Sequence, residues 1–190
     1  MSAQQHILHF PLGGKICLAP NEWQVWSSQD DGANSTPPDL DHGSHKVLVP
    51  FTWWRSHFHA HQPNSNVLTK AKNGEIGVWF AADEDVLKHA DLIEEGKEYW
   101  PLVAAHFPIF RDGRSFSTAA ILRDRLCWNK EIRMIGDVLI DQLLQGARVG
   151  FDSFELRQDQ DLAVAQKQFD LFSVTTQNSW RDKRTVMSVL

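Results

Sequence analysis

Leu102-Val103-Ala104-Ala105-His106-Phe107 followed by Pro108-Ile109-Phe110-Arg111-Asp112-Gly113-Arg114-Ser115-Phe116-Ser117 is the stretch from which the rest of the chain can be read. The run from Leu102 to Phe107 is continuously apolar rather than alternating, as in a strand covered on both faces within a parallel sheet. A loop then leads to a helix whose expected N-cap is Ser117, with Phe116 and Ile121 placed as a hydrophobic staple. Ile121, Leu122 and Leu126 are its apolar anchors, and Arg123, Asp124 and Arg125 read as its solvated face. Ile132 to Ile135 is the next strand. Gly136 turns the chain, Asp137 is the expected cap of a second helix with Asp141 one turn in, and Leu139, Leu143 and Ala147 recur every four residues. Gly150 suits the left-handed closure of that helix, and Phe151, Phe154 and Leu156 lead into a further strand.

The same grammar extends outward. Val47-Leu48-Val49 is a strand, with Thr52 as the cap of a helix through Trp53, Trp54, Phe58 and Ala60. Ile76 to Phe80 is another strand, after which Asp83 opens a helix from Glu84 to Ile93; Asp161 to Phe169 is a last helix and Leu171 to Val174 a last strand. Strand and helix thus alternate about five times, which demands crossover connections and makes this an α/β protein with a largely parallel sheet. An open three-layer sheet is the preferred architecture, a partial barrel the alternative. Residues 1–26 read as an amino-terminal hairpin packed on the main domain, 27–46 as a flexible linker rich in Ser, Asp, Gly and Pro, 47–177 as the α/β domain, and 178–190 as a tail.

The totals narrow the partners. In 190 residues, 19 Lys and Arg stand against 24 Asp and Glu, a net charge of −5, so nothing draws the chain to nucleic acid or anionic membranes. No run approaches the ~18 apolar residues of a membrane span, and the first twenty residues lack a secretory apolar core, so a cytoplasmic location is expected. Cys17 and Cys127 lie far apart with no Cys-x-x-Cys spacing, which indicates neither a disulfide framework nor a thiolate metal site. No Gly-x-Gly-x-x-Gly follows a strand and Gly13-Gly14-Lys15 is not a phosphate loop, so the sequence names no cofactor. His57, His59 and His61 alternate without a zincin glutamate and read as a histidine-rich helix rather than a metal site. Trp53-Trp54 reads as core, with a protein-contact patch as the alternative.

In parallel α/β folds ligands gather at the carboxyl ends of the strands. That rule selects Asp112, Arg114, Ser115 and Ser117 after one strand, Asp137 after the next, and Asp159 with Asp161 after the third; it deselects Asp152 at a strand's beginning. Arg114 beside a helix amino terminus suits a small anion, with Ser115 and Ser117 as hydroxyl donors and Asp112 or Asp137 as acid or base. Structural pairing of Arg114 with Asp112 or Asp137 is the competing reading. The carboxylates also have the oxygen chemistry of a magnesium site, but helix capping accounts for them more simply.

Four ordered blocks carry a family resemblance: Phe110-Arg111-Asp112-Gly113-Arg114-Ser115-Phe116-Ser117; Ile121-Leu122-Arg123-Asp124-Arg125; Ile135 to Leu143; and Gly150 to Leu156 with Phe172-Ser173 beyond. Between about Ile76 and Gln177 the chain resembles the bacterial domain-of-unknown-function family 934. Ser115-Phe116, Ala120 and Thr176 depart from that family's usual pattern of Gly-Tyr, arginine and an aromatic residue. The resemblance implies assimilatory sulfur metabolism: an oxidoreductase or an accessory protein of sulfite reduction, with a sulfite reductase as partner. A small-anion enzyme and a plain interaction domain working through Trp53-Trp54 are the other two readings.

Overall fold

The structure, a computed structural model, describes residues 6–27, 45–56, 65–172 and 177–181. His57, His59 and His61, nearly all of the expected linker, and Ser173 and Val174 lie outside the described residues.

Among the described residues eight strands form one sheet: β1 (His6–His9), β2 (Cys17–Pro20), β3 (Trp23–Val25), β4 (Lys46–Pro50), β5 (Ile76–Phe80), β6 (Leu102–Phe107), β7 (Glu131–Gly136) and β8 (Ser153–Phe154). Their spatial order is β2-β1-β8-β7-β6-β5-β4-β3. From β3 to β8 every neighbouring pair is parallel, while β1 pairs antiparallel with both β8 and β2. The α/β class and the largely parallel sheet are therefore as the sequence indicates.

Layering differs from the preferred expectation. Because β3 to β8 lie side by side in chain order, every right-handed crossover adds its strand on the same side, and the intervening helices collect on one face. The result is a half-barrel, not an open sheet with helices on both faces. Among the described residues the α-helices are α1 (Phe51–Trp54), α2 (Ser65–Lys72), α3 (Ala90–Tyr99), α4 (Arg114–Asp124), α5 (Leu143–Val149) and α6 (Leu162–Gln166). On the helix-bearing side Val47, Val49, Ile76, Val78, Phe80, Val103, Phe107, Ile132, Met134 and Phe154 join helix residues such as Trp54, Ile93, Leu122 and Leu143 in the main core. Alternate strand residues, including Leu48, Leu102, Ala104 and Ile135, form a smaller cluster with Trp23 on the concave side. Both faces are covered, which is why the strands read as uninterrupted apolar runs.

The two edge strands are consecutive in sequence. Only Asn21 and Glu22 separate Pro20, the end of β2, from Trp23, the start of β3. Three peptide steps span at most about 11 Å, so the sheet must curl until its edges nearly meet there. Residues 6–25 thus supply strands to both edges of the same sheet.

Several helix starts fall elsewhere than expected. α4 begins at Arg114 with Gly113 at the cap position, three residues before Ser117 could cap it. The Asp112 carboxylate accepts the Arg114 N–H at 3.2 Å and so supplies the turn that Ser117 was expected to provide. Asp137 caps no helix: a 3₁₀ turn over Ile140–Gln142 starts from Leu139, whose N–H donates to the Gln142 side chain at 3.0 Å, and α5 follows. α1 starts at Phe51 behind Pro50, not at Thr52, and Trp53 and Trp54 are both buried in the core. Between β5 and β6 a 3₁₀ turn over Val86–His89, capped by Asp85 rather than Asp83, precedes α3. Leu171 and Phe172 are exposed and not in a strand. Gly150 closes α5 at φ +117°, and Asp161 caps α6 through the N–H groups of Ala163 and Val164, both as read from the sequence.

Arg123 reverses its expected solvated role. Its side chain is only 1 % exposed. All five of its N–H groups are used: Nε and Nη2 donate to the Gly150 carbonyl at 3.0 and 2.8 Å, Nη1 to those of Trp128 and Lys130 at 2.6 and 2.8 Å, and Nη2 also to Asp152. Asp152 accepts in addition from the Ile132 N–H at 3.0 Å and from Arg181 Nη2 at 3.1 Å. The Trp180 ring lies 4.1 Å from the Arg123 guanidinium carbon, so residues 177–181 are docked on this buried knot.

Candidate functional site

At the carboxyl ends of the strands, the residues selected from sequence divide into two ion-pair clusters. Asp112 and Arg114 pair with each other: Nε donates to Oδ1 at 2.9 Å and to Oδ2 at 3.2 Å, and Nη2 donates to Oδ2 at 2.6 Å. This bidentate geometry lowers the Asp112 carboxyl to about 2, through the side-chain bond from Arg114 and then the bond from its backbone N–H. Arg114 stands at the amino terminus of α4 with its side chain 59 % exposed, as an anion clamp would, but Asp112 already covers its Nε–Nη2 edge.

Asp137 belongs to the second cluster. It accepts the Phe110 N–H at 2.7 Å and Arg157 Nη1 at 2.8 Å, which ties the loop after β6 to the exit of β8. Arg157 also clasps Asp159 through Nε at 2.7 Å and Nη2 at 2.8 Å, and the Asp159 carboxyl is lowered to about 2, first by that pairing. Gln142 Nε2 donates to the Phe110 carbonyl at 3.1 Å and completes the tie. Ser115 is fully buried and its hydroxyl donates to the His106 carbonyl at 2.7 Å, so it is turned into the core; Ser117 is exposed inside α4. Asp112, Arg114, Asp137 and Arg157 all lie at one end of the sheet, where the strand-end rule placed them, yet each is engaged in holding loops.

The concave face carries polar residues that the sequence reading did not select. Arg133, at the middle of β7, donates from Nε to Glu131 and to the Ser153 hydroxyl at 3.1 Å each, from Nη2 to Glu131 at 2.9 Å and from Nη1 to Asn21 at 3.0 Å. Ser153 in turn donates to Glu131. Asn21 Nδ2 reaches Glu155 at 3.3 Å, and burial pushes the Glu155 carboxyl up against the opposing pull of Arg133. Nearer the carboxyl ends, the His106 ring lies 5.2 Å from that of Trp79, and burial lowers its basicity. Gly136, at φ +98°, leaves room there: a Cβ on it would sit 2.3 Å from the Phe107 carbonyl and 3.0 Å from the His106 ring. The available signal was a charged residue inside an otherwise apolar strand, Ile132-Arg133-Met134-Ile135.

A cavity of about 340 Å³ opens at the opposite, amino-terminal end of the parallel strands. Its walls include Lys46, Leu102 and Glu131, the first residues of β4, β6 and β7, together with Trp23, Glu22, His9 and Arg133. Among the described residues no three His, Cys, Asp or Glu side chains converge as metal ligands, and no helix is long and apolar enough to cross a membrane.

Fold and surface together define a singly wound α/β half-barrel with arginine–aspartate ties at its carboxyl end and a charged cavity at its amino end. The chain belongs to the family described as bacterial protein of unknown function (DUF934), whose model matches residues 77–187. No curated protein and no solved structure matches it.

Proposed function

We propose that the protein is a non-catalytic accessory component of assimilatory sulfite reduction, acting with a sulfite reductase. The pathway rests on the family resemblance carried by the sequence blocks around Asp112, Asp137 and Asp152; the geometry supports the accessory role. One observation carries the latter: the strand-end carboxylates selected from sequence are already engaged, Asp112 by Arg114, both Asp137 and Asp159 by Arg157, and Asp161 by the backbone N–H groups it caps. A carboxylate held near a pKa of about 2, as Asp112 is, is a poor proton carrier at neutral pH, because a general acid or base works best near the operating pH.

Deletion of the gene should impair growth on sulfate and on sulfite, with rescue by sulfide or cysteine. Normal growth on sulfate would refute the pathway, and a defect on sulfate but not on sulfite would place the role upstream of the reductase. A flavin or haem absorption band in the purified protein would overturn the non-catalytic part and favour an oxidoreductase.

A further inference from the structure

The amino-terminal cavity has donors and acceptors left over, and their arrangement narrows what it can hold. Arg133 is 3 % exposed along its side chain, yet unlike Arg123 it does not use all five N–H groups on the protein. Its bonds to Glu131, Ser153 and Asn21 occupy Nε and one hydrogen on each Nη, leaving one hydrogen on Nη1 and one on Nη2 without an acceptor among the described residues. Arg133 lines the cavity, so an oxygen acceptor bound there can take these two hydrogens in place of water.

Opposite charge is offered from the same walls. Lys46 Nζ donates to Glu22 Oε2 at 2.7 Å and keeps two further hydrogens, while Oε1 of Glu22 and Oε2 of Glu131 accept no bond among the described residues. Trp23 supplies a flat apolar wall, with the Lys46 ammonium 5.8 Å from its ring centre. Arg133 and Lys46 balance Glu131 and Glu22, so the cavity favours neither a bare anion nor a bare cation. About 340 Å³ lies at the small end of the range for ligand pockets.

We propose that this cavity binds a small zwitterion of the free α-amino acid class, its carboxylate taken by Arg133 and Lys46, its ammonium by Glu22 and Glu131, and its side chain against Trp23. The site lies at the other end of the sheet from Asp112 and Asp137, so this proposal and the sulfite-reduction reading stand or fall separately.

Thermal unfolding of the full chain with each of the twenty free amino acids tests it. At one hundred times Kd a bound ligand should raise the midpoint by roughly 5–10 °C. The methyl ester and the N-acetyl derivative of the active amino acid, each lacking one charge, should give no shift. Lys46→Met and Glu22→Gln, both partly exposed positions that leave the core intact, should weaken binding at least about tenfold in titration calorimetry. The proposal is overturned if no amino acid shifts the midpoint up to about 10 mM, if ester or acetyl forms bind equally, or if sulfate or acetate alone reproduces the shift.

Discussion

Replacing Arg123 by methionine keeps an unbranched stem in the knot between α4, β7 and the segment 177–181 but removes every donor. Three carbonyls, those of Gly150, Trp128 and Lys130, lose their guanidinium partner, and Asp152 is left with Arg181 and the Ile132 N–H. Taking one partner from a buried ion pair costs about 3–5 kcal/mol, and each carbonyl stranded away from water adds about 1–3 kcal/mol. The ion-pair figure alone is the floor, since water can relax into the space left at Lys130. A loss of at least about 3 kcal/mol is a large part of the ~5–15 kcal/mol that a domain possesses. At about 2–4 °C per kcal/mol for a chain of this size, the midpoint should fall by about 6–12 °C or more. Urea titration followed by tryptophan fluorescence, with the slope unchanged, reads the loss directly. Arg123→Lys keeps the charge but offers three hydrogens for five and should fall in between. A loss below about 1 kcal/mol for Arg123→Met would refute the reasoning, because it would mean that the carbonyls and Asp152 find water without it.

Other outcomes can be checked alongside. The Asp112 carboxyl should titrate at about 2 by carbon NMR and return toward 3.8 in Arg114→Ala. Its folded value lies below the unfolded one, so the stability it contributes is full above about 4 and is lost as pH falls toward 2; a flat acid profile for the pair would contradict this. If Arg114 also binds small anions, sulfate or phosphate should raise the wild-type unfolding midpoint and not that of Arg114→Ala, and equal protection of both would remove Arg114 as a clamp. For His106, whose folded basicity is lowered, the unfolded chain takes the proton first: stability should decline as pH drops below 6.5, and His106→Gln should remove that part of the decline. Gly136→Ala forces a Cβ to 2.3 Å from the Phe107 carbonyl at a positive φ, and should cost at least about 2 kcal/mol in the same urea assay.

What the sequence reveals and what it hides follow one physical division. Strands buried on both faces announce themselves through runs such as Leu102–Phe107, and closures fixed by a single residue, such as Gly150 and Asp161, are equally plain. Layering was not legible, because it depends on which strand lies beside which, and alternation of strand and helix is the same in a doubly wound sheet and in a half-barrel. Helix starts misplace where two caps compete locally: Asp112 takes the Arg114 N–H before Ser117 has the opportunity. Arg123 and Arg133 defeat composition in the same manner. Charged residues are assigned to solvent by default, and only the convergence of carbonyls from residues 5 to 27 positions away, or of Asn21 from 112 away, makes burial affordable. The strand-end rule did locate Asp112, Arg114 and Asp137 at one end of the sheet, but it directs attention away from the end where the cavity lies.

The two-residue passage from β2 to β3 places both margins of the sheet under the control of one short stretch, Cys17 to Val25. Exposed strand edges recruit other chains, and proteins ordinarily guard their two edges with separate devices. Here truncation ahead of Trp26 would remove β1, β2 and β3 together and uncover β8 on one side and β4 on the other in the same event. The family match, which begins at residue 77 within β5, covers neither margin. A shortened version trimmed to that match should therefore self-associate, and its solubility would depend on restoring residues 6–76.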